Sequence, residues 1–127
     1  MMRYALVIAG IVMALGVGLG AFGAHALKSV LTPELLTTWQ TAVQYHLVHG
    51  IALFAIALAA PLLNLSCLRW VFVGILLGLL LFSGSLYLWV LTGFYPLVFV
   101  TPIGGILWLT SWFGLAIGAW RFVRQQH

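Results

Sequence analysis

Two histidines one helical turn apart, His46 and His49, lie inside the apolar stretch WQTAVQYHLVHGIALFAI at residues 39–56. Neutral imidazole binds zinc, copper and iron, and this spacing is within reach of a common ion, with His25 as a third ligand if the loop after it folds back. Haem would instead need axial ligands from facing helices, for which His25 opposite His46 is the available pairing. Proton relay is a third chemistry, because imidazole titrates near neutrality and Tyr45, Ser85 and Tyr87 extend a hydrogen-bond chain. Against these stands a structural role, in which a histidine hydrogen-bonds a Ser, Thr or carbonyl across a helix interface and sets register. A histidine in hydrocarbon is costly in every case, so both are expected to face the protein interior or a wet cavity and to have partners.

The elements that position them are set by composition. Of 127 residues, 65% are hydrophobic and 5% charged, and the mean hydropathy is +1.21. Soluble domains carry about a quarter charged residues. Too little polar surface exists here to face water, and the expected solvent is lipid. Five Lys/Arg stand against the single acid Glu34. With no basic cluster or aromatic-interleaved polar face to track a phosphate backbone, that excess reads as membrane orientation and not as nucleic-acid affinity. The lone Cys67 forms no intrachain disulfide.

The pattern predicts an all-α polytopic membrane protein, one four-helix transmembrane domain over residues 1–127, with helices near 4–24, 33–60, 70–92 and 97–121. The first run ends in Ala24-His25-Ala26, which resembles a signal cleavage site. Its apolar region exceeds the roughly 7–15 residues of a signal peptide, so it is read as a retained helix. Thr32-Pro33-Glu34 has the form of a helix start, with Thr as N-cap, Pro in the first turn and an acid at the positive end of the dipole. The second helix is expected to end at Pro61 and to hold Trp39 at the membrane interface. Trp39, Ala42, His46, His49, Leu53 and Ile56 recur at threes and fours and predict its buried seam; Gly74, Gly78, Leu81, Ser85, Leu88 and Thr92 do the same for the third helix. The fourth begins either with Thr101 as N-cap, leaving Phe94–Val100 as an apolar surface loop, or earlier, near Pro96, with Pro102 as a kink. Gly16/Gly20, Gly74/Gly78 and Gly114/Gly118 mark close helix crossings, within one chain or between chains. Asn64-Leu65-Ser66 matches a glycosylation sequon, read as chance.

Four helices put both termini and the middle linker on one side, which collects Arg3, Arg69, Arg121 and Arg124, while the first loop holds Lys28 beside Glu34. Both termini are therefore expected in the cytoplasm. At about 1.5 Å per residue, His46 and His49 then lie roughly 10 and 15 Å below Trp39. Ser83, Ser85, Tyr87, Thr101 and the Gly104-Gly105 pair share that outer half, and the inner half inside its arginine rim is nearly all apolar. Tyr45, Ser85, Tyr87 and Thr101 are the candidate ligand-binding residues beside the candidate metal ligands His25, His46 and His49. A transition metal is compatible with this set but not required by it.

Enzymatic chemistry is poorly supplied. Glu34 is the single carboxylate, which removes paired acid/base catalysis and His-carboxylate triads. A Ser85–His46 dyad has no nucleophile elbow around it. GVGLGAFG lies within a membrane run and does not follow a strand, so it is no dinucleotide loop. Six tryptophans suit interface anchoring or helix packing.

GLGAFGAHALK at residues 18–28, WQTAVQYHLVH at 39–49, FSGSLYLWVLTG at 82–93 and TPIGG at 101–105 together resemble the domain-of-unknown-function 423 family. These are the YgdD/YwdK-like small bacterial inner-membrane proteins, with a related small transmembrane protein in animals. Ser111-Trp112 stands where that family's pattern would have Gly-Trp. The resemblance implies about four membrane helices, a bacterial inner-membrane location and no established activity. It also implies that the family's shared motifs fall on His25, Tyr45, His46, His49, Ser83, Gly84, Ser85, Tyr87, Thr101 and Pro102. The reading is a small integral membrane protein with a structural, accessory or assembly role and packing histidines, with the bilayer and a homo-oligomer or larger membrane complex as partners. The alternative is a metal- or small-ligand-binding membrane protein with its histidine cluster in the outer half.

Overall fold

The computed structural model describes residues 2–63 and 66–125. Asn64 of the sequon and the terminal His127 lie outside the described residues. Four helices carry the chain: α1 (Ala5–His25), α2 (Pro33–Leu63), α3 (Cys67–Thr92) and α4 (Thr101–Arg124). Short 3-10 helices precede α1 at Met2–Tyr4 and α4 at Tyr95–Phe99. No strand occurs among the described residues, and all four helices are long and apolar enough to cross a membrane. Each packs on its neighbour in sequence, α1 on α2, α2 on α3 and α3 on α4.

Helix ends follow local chemistry. Thr32 caps α2, its Oγ1 accepting from the Leu35 amide at 3.3 Å, with Pro33 and Glu34 in the first turn. α3 closes on Gly93 in the left-handed region (φ 70°), which glycine enters without Cβ strain. Pro61 does not end α2, which continues to Leu63. A proline this near the terminus removes one backbone bond, too little to stop the helix two residues early. At α4, Thr101 is the first helical residue and not the cap, and Pro102 sits in the first turn, where its missing N–H costs nothing. Phe94–Val100 is thus neither a plain loop nor a kinked extension of α4, since the segment Tyr95–Phe99 winds as a 3-10 turn.

The α2 seam is buried as expected at Trp39, Ala42, His46, His49, Leu53 and Ile56. The α3 seam is not the expected one, since Leu88 and Thr92 are exposed and Leu81 is half-buried. α3 lies between two neighbours and buries two faces. Gly74, Gly78 and Ser85 meet α4, whereas Ser83 and Tyr87 reach α2. Trp39 is also not an interface anchor: it is 1% exposed, inside a cluster with Leu27, Ala42, Leu86, Tyr87 and Val90. A second, larger cluster includes Ala5, Ala9, Leu53, Phe72, Ile75 and Leu79 and fills the other half of the bundle.

Glycines make the close crossings. A Cβ on Gly16 would stand 2.8 Å from Leu47 Cδ2, one on Gly20 3.2 Å from Val43, and one on Gly23 against the Trp39 indole. Toward α4, a Cβ on Gly74 would overlap Ser111 Oγ, and one on Gly78 would stand 2.5 Å from the Trp108 ring. Gly118 meets Cys67, whereas nothing lies within 4 Å of a Cβ on Gly114. Five of the six glycines singled out by spacing are therefore used within the chain, and Gly114 faces open space.

Candidate functional site

The polar side chains of the buried helix faces are joined to neighbouring helices. From α2, Trp39 Nε1 donates to the Leu19 carbonyl at 2.9 Å, and His46 Nε2 meets the Val12 carbonyl at 2.8 Å, both on α1. From α3, Ser83 Oγ donates to the Ala42 carbonyl at 2.8 Å, and the Tyr87 hydroxyl meets His46 Nδ1 at 3.1 Å. Ser85 Oγ and Thr101 Oγ1 pair at 2.6 Å between α3 and α4. From α4, Trp108 Nε1 donates to the Ile75 carbonyl at 3.0 Å and Trp112 Nε1 to His49 Nε2 at 3.3 Å. Helix carbonyls keep a second lone pair after their own i→i+4 bond, which lets Val12, Leu19, Ala42 and Ile75 accept.

The network assigns both imidazole tautomers. A carbonyl accepts and does not donate, so His46 Nε2 carries a hydrogen toward Val12 and His49 Nδ1 one toward the Tyr45 carbonyl at 2.9 Å. The Trp112 indole donates and does not accept, so His49 Nε2 offers its lone pair there. Neutral His46 then accepts at Nδ1 from the Tyr87 hydroxyl. All four ring nitrogens have partners inside the protein, and among the described residues no buried side-chain N or O is left without one.

The two histidines point different ways. His46 faces α1 and α3, while His49 lies flat on Trp108, with ring centroids 3.6 Å apart and planes 3° from parallel, and faces α4. His25 is exposed at the end of α1. Among the described residues no group of three or more His, Cys, Asp or Glu is placed to share a metal ion, so the structure does not gather His25, His46 and His49. Of the other candidates, Ser85 and Thr101 bond one another and Tyr87 serves His46. Tyr45 is 42% exposed, and its hydroxyl has no hydrogen-bond partner among the described residues. It edges a groove of about 470 Å³ between α2, α3 and α4, with His49, Phe82, Gly105, Trp108 and Trp112.

Trp108 and Trp112 are the residues that sequence reasoning missed. The available signal was their spacing: two indole N–H groups at i and i+4, well inside an apolar helix, require acceptors on a neighbour.

A family model described as "Protein of unknown function (DUF423)" matches residues 19–105. The chain is 35% identical to the UPF0382 membrane protein YwdK of Bacillus subtilis over 126 residues, covering 96% of this chain and 100% of that one. It is 36% identical to the UPF0382 inner membrane protein YgdD of Escherichia coli over 123 residues, covering 97% and 94%. A UPF0382 membrane protein of Haemophilus influenzae is 40% identical over 109 residues, covering 83% and 84%. No solved structure matches the chain. The matched segment and these full-length likenesses establish that the chain belongs to the DUF423 family of membrane proteins, whose activity is unknown.

Proposed function

We propose that this chain is a structural or accessory protein of the bacterial inner membrane, in which His46 and His49 hold the bundle together and do not bind a metal. The observation that carries this reading is the full use of both imidazoles: each nitrogen already has a protein partner, and a metal would have to displace at least one bond per ring. No catalytic role is assigned, because the sole carboxylate, Glu34, is exposed in the first turn of α2, away from the buried histidines. The orientation proposed has both termini in the cytoplasm, from Arg3, Arg69, Arg121 and Arg124 on one side against Lys28 and Glu34 on the other. As an accessory protein it would act in a homo-oligomer or a larger membrane complex.

Elemental analysis and an absorption spectrum of the detergent-purified protein, beside a His46→Ala/His49→Ala double variant, test the reading. A metal-free, colourless wild type and a destabilised double variant are expected. A stoichiometric metal, or a haem band, that disappears in the variant would overturn it. Cysteine labelling from each side of the membrane at residues 30 and 125 checks the orientation, with residue 125 expected to react from the cytoplasm.

One observation favours a second reading, a small-ligand site. The groove beside Tyr45 and His49 is apolar, about 470 Å³, and edged by a hydroxyl with no partner among the described residues. A molecule that co-purifies with the wild type and is lost in Tyr45→Phe would favour it over the structural role.

A further inference from the structure

Toward the contact between Cys67 and Gly118, α3 and α4 border a groove of about 280 Å³. Trp70, Val71 and Gly74 of α3 and Leu107, Ser111 and Gly114 of α4 line it. On α4 these residues fall at alternating fours and threes, and the same stripe runs on through Gly118 to Arg121. One helical face therefore carries an apolar trough and, about two turns beyond it, a guanidinium. On α3 the cation lies off the lining stripe but beside one of its residues: the Arg69 guanidinium lies 5.9 Å from the centre of the Trp70 ring, and Trp70 is 73% exposed. Arg124 sits 6.0 Å over Trp120 on the same end. The chain's one acid, Glu34, is at the far end, at the start of α2, so no Asp or Glu competes for these cations.

We infer that this groove and its arginines form a binding site for an anionic phospholipid, with one acyl chain in the α3–α4 trough and the phosphate between Arg69 and Arg121. Charge complementarity selects this occupant. A trough at membrane depth suits an acyl chain, and cations on the two helices that wall it, Arg69 beside Trp70 and Arg121 two turns past Gly114, favour a negatively charged head over a zwitterionic one. Tryptophans carrying guanidiniums at the rim fix the arginines at headgroup level. Gly114 leaves the trough open, since nothing in the fold lies within 4 Å of a Cβ there.

The test is native mass spectrometry of the detergent-solubilised full chain, offered equal amounts of phosphatidylglycerol and phosphatidylcholine with identical acyl chains. Wild type is expected to retain phosphatidylglycerol preferentially. Arg121→Gln should lower that preference roughly fivefold, the Boltzmann weight of one basic residue at an anionic headgroup, and Arg69→Gln/Arg121→Gln should bring it close to unity. Arg3→Gln removes a cation at the same end, but ahead of α1, a helix that contributes no residue to the groove walled by α3 and α4; it should leave the preference unchanged. Gly114→Leu should reduce retention of both lipids by filling the trough. Equal retention of the two lipids by wild type would overturn the proposal. So would an Arg3→Gln loss equal to that of Arg121→Gln, since that is the behaviour of a diffuse cationic belt. The arginines are exposed, so their variants keep the fold and decide the matter even if Gly114→Leu does not assemble.

Discussion

Alanine at Gly104 and alanine at Gly114, on the same face-forming helix, should have opposite consequences. A Cβ on Gly104 would stand 2.5 Å from the Phe82 amide nitrogen, 2.7 Å from the Gly78 carbonyl oxygen and 2.8 Å from Phe82 Cβ. Two of these three atoms are backbone, so no side-chain rotation relieves the overlap. α4 must recede from α3 by about 0.5–0.9 Å to recover a tolerable contact. A gap of that size forfeits a quarter to a half of the dispersion energy of the surrounding pairs. It would also stretch the 3.0 Å Trp108–Ile75 bond to roughly 3.5–3.9 Å, past useful hydrogen-bond range. Overpacking of this kind costs about 1–3 kcal/mol, and a lost interhelical bond in a membrane adds about 0.6 kcal/mol. Gly104→Ala should thus destabilise by about 2–3 kcal/mol. Gly114→Ala meets nothing and gains helix propensity, so it should be neutral or slightly stabilising. Reversible unfolding in mixed dodecyl-sulfate micelles, followed by tryptophan fluorescence, measures both. A Gly104→Ala value within about 0.5 kcal/mol of wild type would refute the α3–α4 geometry, as would an equal loss at Gly114.

Removing the His46 ring by His46→Leu leaves the buried Tyr87 hydroxyl without its acceptor and should cost about 1–3 kcal/mol. Adding Tyr87→Phe should recover part of that loss in a double-mutant cycle, and strict additivity of the two would show that no bond joins them. Trp108→Phe deletes the donor to Ile75 and should lower stability measurably; an unchanged unfolding midpoint would mean the indole is not holding α4 to α3. Thr32→Ala removes the α2 cap and should cost about 1 kcal/mol while leaving the transmembrane core unaltered, as read by unfolding together with amide exchange at Leu35.

The legible parts of this fold are those in which one helix meets one kind of environment. The α2 seam could be read by period because its buried stripe is continuous, and the Thr32-Pro33-Glu34 start is local chemistry that needs no tertiary knowledge. α3 defeated the same method because it buries two faces, so Leu88 and Thr92 fitted a period but not a neighbour. Trp39 was misplaced for a related reason. A tryptophan near a helix start suits an interface, and only the pairing with α1 shows a glycine at residue 23 making room for the indole. Which side chains would need partners could be read from their polarity inside apolar helices. Their partners could not, because Val12, Leu19, Ala42 and Ile75 take part through carbonyls that every residue possesses.

That use of anonymous carbonyls answers a problem specific to α1. The helix is apolar around its whole circumference, and lipid is as good a solvent for its leucines and valines as a protein face is, so hydrophobicity selects neither its rotation nor its register. Register comes from position-specific contacts. Trp39 and His46 are seven residues apart on α2, and the carbonyls they reach, Leu19 and Val12, are seven apart in the reverse sense on α1. Gly23, Gly20 and Gly16 step down α1 as Trp39, Val43 and Leu47 step along α2. Two polar ties about 10 Å apart with three close contacts on the same stripe admit one antiparallel alignment. A slip by one residue would turn every glycine off the seam and move both donors from their carbonyls. Here the histidine that first suggests metal chemistry is one of the two pins, and its placement in costly surroundings is accounted for by what α1 lacks.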